Sequence, residues 1–180
     1  MTRRFSVPLA VAFLFAADAG AQLPLPKLAR IAPMGGGAGT SFWIEVQGAD
    51  LDGPGSLKFD HPGIRAARWP TSKKKFLVTV AAEVPVGTRE CWYVGKLGVS
   101  NSRLFAISKG LAELNEAAGN NSPETAQEVP VNSVVNGASD GNRDDHFRVT
   151  LKKDRRIVVE CAAQRLMMRT IRCCWKWKTM

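Results

Sequence analysis

SFWIEVQ, residues 41–47, alternates without a break: Phe42, Ile44 and Val46 fall to one side of an extended chain, Trp43 and Glu45 to the other. Successive side chains of a strand point to opposite faces, so this spacing predicts a strand in a sheet with one buried side. Working outward, a short strand is expected around Leu28 to Ile31, followed by the Gly-rich turn GGGAG at 35–39. Downstream, LKF (57–59) and KFLVTVAA (75–82) read as strands. The turn PVG (85–87) then leads into RECWYVGK (89–96), and VSNSRLFAIS (99–108) closes the segment. Short strands between tight turns, in a chain with 16 Gly and 10 Pro among 180 residues, place the fold in the all-β class. Residues 24–108 fit a small immunoglobulin-like β-sandwich.

The glycines carry more than punctuation. GGGAG could cradle a phosphate, but a phosphate loop opens a helix and usually carries Lys, whereas this one leads into a strand and has none. Pro33, Gly36, Gly39 and Thr40, then alternating apolar residues, then Gly48 and Leu51, form the pattern P-x-x-G-x-x-G-T, strand, G-x-x-L. The segment resembles the opening of IPT/TIG domains, and VPVGTRECWYVGKLGVSNSRLF resembles their final hairpin in secreted planctomycete proteins.

Residues 109–119, KGLAELNEAAG, read as a linker with room for a helical turn in which Leu111 and Leu114 share a face. Beyond it, Asn120-Asn121-Ser122-Pro123-Glu124-Thr125-Ala126, with Gly137 and Asp145-His146-Phe147 downstream, resembles the bacterial pre-peptidase C-terminal domain, a β-sandwich appended to exported proteins. Residues 120–164 would be its N-terminal half, which makes an incomplete second, jelly-roll-like module. HFRVTL and RIVVEC supply two strands, with a polar turn from Lys152 to Arg156. The resemblance raises calcium. Asp140, Asn142 and Asp144 are spaced like the first three ligands of an oxygen-ligand loop, but Asp145 stands where an EF-hand needs Gly and Leu151 where it needs Glu. The family's opening Glu is replaced by Ala118. A solvated acidic turn is the expectation, with Asp140, Asn142, Asp144 and Asp145 as the calcium candidates and no other cofactor.

MTRRFSVPLAVAFLFAADAGAQ sets Arg3 and Arg4 before an apolar run from Phe5 to Ala17 and the small residues Ala19-Gly20-Ala21. That order predicts a secretory signal peptide over residues 1–21, cleaved before Gln22. The run is too short to span a bilayer, so no membrane span is expected. The address is therefore extracellular or cell-envelope. Export permits disulfides, but Cys91 and Cys161 read as strand thiols and Cys173-Cys174 sit in a different context, so no framework emerges. No catalytic set emerges either. His61 lies in the turn FDHPG, His146 stands at a strand position where the resembled family often has Tyr, and no G-x-S-x-G elbow is present.

The net charge of +9 is uneven. Residues 22–151 hold 14 Lys/Arg against 13 Asp/Glu, while residues 152–180 hold 9 against 2. The expected function is a non-catalytic, exported binding or display module whose partner is an extracellular protein or polysaccharide. The alternatives are an accessory piece of a longer secreted enzyme such as a peptidase, and a basic binder of anionic polymers through Lys152 to Lys178, without specific nucleic-acid recognition. Residues 165–180, RLMMRTIRCCWKWKTM, break with what precedes them. Read one base out of frame, Met167-Met168 forces Asp, the two steps from Cys173 to Trp175 force Leu, and each Trp-Lys step forces Glu. The shifted frame can thus read as an acidic, β-patterned segment of the kind the resembled family carries, and the written tail is expected to be a frameshift product, a true basic tail being the alternative.

Overall fold

The structure is a computed structural model describing residues 24–51, 53–138, 144–163 and 170–178, with side chains through residue 161. Every regular element among them is a strand.

Two sheets build the first unit. One runs in the order β1 (Lys27–Ala32), β3 (Ser41–Ala49), β6 (Lys75–Val80), β5 (Ile64–Arg68), antiparallel throughout. The other runs β2 (Gly35–Gly37), β9 (Arg103–Ser108), β7 (Gly87–Gly95), β4 (Ser56–Phe59), with the short β8 (Gly98–Val99) folding back on β7. The expected alternation holds at 41–47: Ile44 and Val46 are buried and Phe42 half-buried, while Trp43 and Glu45 are exposed. Their inward side chains join those of the second sheet in one cluster, in which Leu28, Ile31, Phe76, Val78 and Val80 meet Leu57, Cys91, Tyr93, Phe105 and Ile107. Aromatic rings cross-link it: Phe105 lies 6.1 Å from Phe42 and 5.1 Å from Phe59, and Phe76 meets Tyr93 edge-on at 6.5 Å. Edge-to-face and offset pairs of this kind add specificity to burial.

The Gly-rich stretch differs from the expectation of a simple turn. Gly35–Gly37 form β2, parallel to β9, and the turn follows at Gly39, where φ is +80°. The reason is steric. A Cβ at Gly36 would sit 2.1 Å from the Phe42 ring, so only a side-chain-free strand can lie this close to the core. The strand β5 was not foreseen, because IRAAR buries Ile64 and little else.

In the second region, β10 (Ala112–Asn115) runs parallel to β12 (Ser133–Ala138), and β15 (Thr170–Lys178) lies antiparallel between β12 and β14 (Arg156–Ala163). A two-stranded pair, β11 (Gln127–Glu128) and β13 (Phe147–Arg148), lies apart from that sheet. The helical turn expected over Leu111 to Leu114 is replaced by β10, because the backbone there finds ladder partners in β12 from Ser133 to Asn136. Val129 and Val135 are buried with Leu114, Phe147, Val149 and Ile157 against them. Of the two strands expected at HFRVTL and RIVVEC, the first shortens to Phe147–Arg148 and the second extends through Ala163.

Candidate functional site

The outer face of the β1-β3-β6-β5 sheet collects the residues that the alternation turned away from the core. Directly opposed residues of an antiparallel ladder share a face. Lys75, Glu45 and Ala32 therefore form one row across β6, β3 and β1. A hydrogen bond of 2.8 Å from Trp69 N to Lys75 O extends this row to the end of β5. The next row is Ala67, Leu77 and Trp43, and beyond it Arg65, Thr79 and Ser41.

Trp69 is placed by turn chemistry. Trp69-Pro70-Thr71-Ser72 closes with a bond from Ser72 N to Trp69 O at 3.3 Å, and Pro70 supplies the fixed φ favoured at the second position of such a turn. This returns the chain over β6 and brings the Trp69 indole onto Trp43. The ring centroids are 4.7 Å apart and the planes meet at 89°. Both rings remain nearly half exposed, Trp43 at 46% and Trp69 at 44%. With Ala32, Ile44, Glu45 and Lys75 they line an open groove of about 490 Å³. Its walls are two indole surfaces at right angles; its polar groups are one carboxylate and one ammonium. Further cations stand around it. Arg30, opposite Gln47, shares the outer face, and Arg68, Lys73 and Lys74 lie in and beside the turn that carries Trp69. The Nε of Arg30 is shielded from solvent with no hydrogen-bond partner.

The calcium candidates divide. Asp140 and Asn142 lie outside the described residues; Asp144 is exposed and Asp145 half-buried. Among the described residues no group of three or more His, Cys, Asp or Glu side chains is arranged to hold a metal ion. What sequence reasoning missed here is Glu116. Two positions before Ala118, it accepts a bond from Ala138 N at 2.8 Å and one from Asn120 Nδ2 at 3.4 Å. Asn120 is buried, and its carbonyl accepts from His146 N at 2.7 Å. Glu116 thus ties Asn120 to the end of β12 through neutral donors, which is the work of a structural carboxylate. The signal was present as an acid close to the Asn-Asn pair, two residues out of the expected register.

His61 accepts a bond from Gly63 N on Nδ1 at 3.0 Å, holding the turn before β5. Cys91 is fully buried between the sheets, and this burial, with the negative charge of Asp60 as a lesser cause, pushes its thiol up to about 12. It is a core side chain with no thiolate to offer at neutral pH. Cys161 is exposed on β14. No helix among the described residues is long and apolar enough to cross a membrane. Comparison with protein-family models and with curated proteins found no match.

Proposed function

We propose that the chain is a non-catalytic, exported binding or display module, in which an IPT/TIG-type sandwich precedes part of a pre-peptidase C-terminal-type module. The observation that carries this reading is the Trp43–Trp69 groove. Two of the largest apolar side chains stand side by side in water on the outer face of a sandwich whose inner faces are closely packed. Clustered exposed aromatics on an otherwise polar surface mark contact sites, since each keeps apolar area hydrated until a partner covers it. Charge supports it as well: Arg30 and Lys75 share the groove's face, and Lys73 lies beside the turn that carries Trp69, all of them outside the basic run of residues 152–180. Export follows from residues 1–21.

The test is co-sedimentation of the mature chain, beginning at Gln22, with envelope fractions from the producing cell. Saturable retention supports the reading. Retention no greater than that of an unrelated sandwich of equal charge refutes it.

A further inference from the structure

We infer that the Trp43–Trp69 groove is a binding site for an acidic polysaccharide, one containing uronic acid units, with the indoles stacking on sugar rings and the surrounding cations meeting the carboxylates. The inference rests on the reading of this chain as an exported binding module and specifies its ligand. Three observations lead to it.

The first is shape. The C–H edges of a pyranose ring carry partial positive charge and pack flat on the electron-rich face of an indole, so solvent-exposed Trp rings are suited to sugars. Two rings meeting at 89° give a corner that grips a ring on one plane and its neighbour or a substituent on the other. The groove is open, and its row Trp69-Lys75-Glu45-Ala32 crosses four positions one strand spacing apart, about 14 Å. That suits a length of polymer better than a small enclosed solute.

The second is the polar pair at the floor. Glu45 and Lys75 are directly opposed on β3 and β6, and both are exposed. A carboxylate accepts from hydroxyl groups and an ammonium donates to them or to ring oxygens, so the pair can bond vicinal hydroxyls on both sides.

The third is charge. Arg30, Arg65 and Lys75 on the face, with Lys73 at the turn in register with Gln47, surround a single acid of these strands, Glu45. Two indoles and a carboxylate could otherwise cage a quaternary ammonium, but a cation would enter against this field. An anionic chain enters with it. Single-stranded nucleic acid also combines anions with stacking rings. Glu45 disfavours it, because the groove floor then sets a carboxylate beside a phosphate backbone that has few donors to satisfy it.

The experiment is affinity electrophoresis of the mature chain in gels containing polygalacturonate, dextran or oligo(dT), paired with titration of tryptophan fluorescence by galacturonate oligomers. Retardation in polygalacturonate alone is expected, with a saturable change in emission. Trp43→Ala and Trp69→Ala should each weaken it about tenfold or more, the scale of one lost aromatic contact. Arg65→Gln with Lys73→Gln should weaken it several-fold and flatten its salt dependence. Both tryptophans lie on the outer face, and unchanged far-UV circular dichroism certifies each variant; should one fail to fold, the wild-type fluorescence titration decides alone. Equal retardation in dextran, preference for oligo(dT), or no response to polygalacturonate overturns the inference. If envelope fractions still retain the Trp43→Ala chain, the binding-module reading survives and this site is wrong. If nothing retains the wild type, both fail.

Discussion

Replacing Asn101 tests how the first sandwich is closed at its edge. Leu28, the second residue of β1, is fully buried, and the β1–β3 register slips between Leu28 and Arg30, so its backbone groups look elsewhere for partners. Asn101, in the loop before β9, supplies both. Its Oδ1 accepts from Leu28 N at 2.9 Å, and its Nδ2 donates to Leu28 O at 3.1 Å. Arg103 Nε donates to the same carbonyl at 2.7 Å. Asn101→Ala therefore leaves the carbonyl bonded through Arg103 but strands the N–H. A net bond contributes about 1 kcal/mol and a stranded, part-buried donor costs about 1–3 kcal/mol, which gives about 2–4 kcal/mol in total. In a unit of this size that lowers the melting temperature by about 8–30 °C. Asn101→Asp keeps the acceptor for Leu28 N and sets its charge near Arg103, but turns its second oxygen toward the Leu28 and Ser102 carbonyls that Nδ2 now bonds, so it should cost about 1–2 kcal/mol, less than the alanine. Urea and thermal unfolding, followed by tryptophan emission, measure both. The order of the two variants is the discriminating result: Asp as damaging as Ala, or Ala within about 0.5 kcal/mol of wild type, refutes the clamp.

Gly55→Ala would set a Cβ 1.9 Å from Cζ of the buried Tyr93, whose hydroxyl donates to Leu51 O at 3.2 Å. Displacing that ring should cost about 2–3 kcal/mol, against about 1 kcal/mol for Tyr93→Phe, by equilibrium unfolding. The Cys91 thiol should resist thiol reagents at pH 8 until the sandwich unfolds. Because its folded value lies near 12, the unfolded chain releases the proton first, so stability is intact below about pH 8.5 and falls as pH rises toward 12; Cys91→Ala should flatten that limb. Millimolar calcium should leave the melting temperature within about 1 °C, and a rise of several degrees would show ligation at the acidic turn.

What could be read in advance follows from how locally each feature is encoded. SFWIEVQ carries its own alternation, and it placed Phe42, Ile44 and Val46 inward and Trp43 and Glu45 outward as they are found. Gly35–Gly37 read as a turn because a glycine run has no side chains to alternate; its strand exists through β9 and the space against Phe42. AELN reads as linker because its ladder partner, Ser133–Asn136, lies some twenty residues away and runs parallel. The groove was half legible. Trp43 and Glu45 stood on the outer face from the start, but Trp69 joins them only through the Trp69–Ser72 turn and the β5–β6 pairing, which lie outside the strand itself. Glu116 was hidden by a register offset of two residues, the smallest shift that keeps the same face of a strand.

The tail remains the sharpest question. The backbone of Thr170–Lys178 pairs with β12 from Ser133 to Ala138 and with β14 from Arg156 to Ala163, and β12 and β14 share no ladder of their own. As written, the segment also alternates: Ile171, Cys173, Trp175 and Trp177 take register positions opposite Ala163, Cys161, Val159 and Ile157. The shifted frame can read as β-patterned as well, so patterning does not choose between the frames, and the choice falls to what each supplies to the sheet. A chain ending at Ala163 would expose facing edges of β12 and β14, with every backbone group of those ladders returned to water. The expected outcome is loss of protease protection across 112–163, with the first sandwich's unfolding transition unchanged. Appending the shifted-frame residues in place of 165–180 should restore that protection and exceed the written tail, if the frame was broken there. Protection that survives the truncation refutes β15 as a bridging strand. Protection restored by the written tail alone refutes the shifted frame and makes the Cys-Cys-Trp-Lys-Trp-Lys run a genuine strand of the protein.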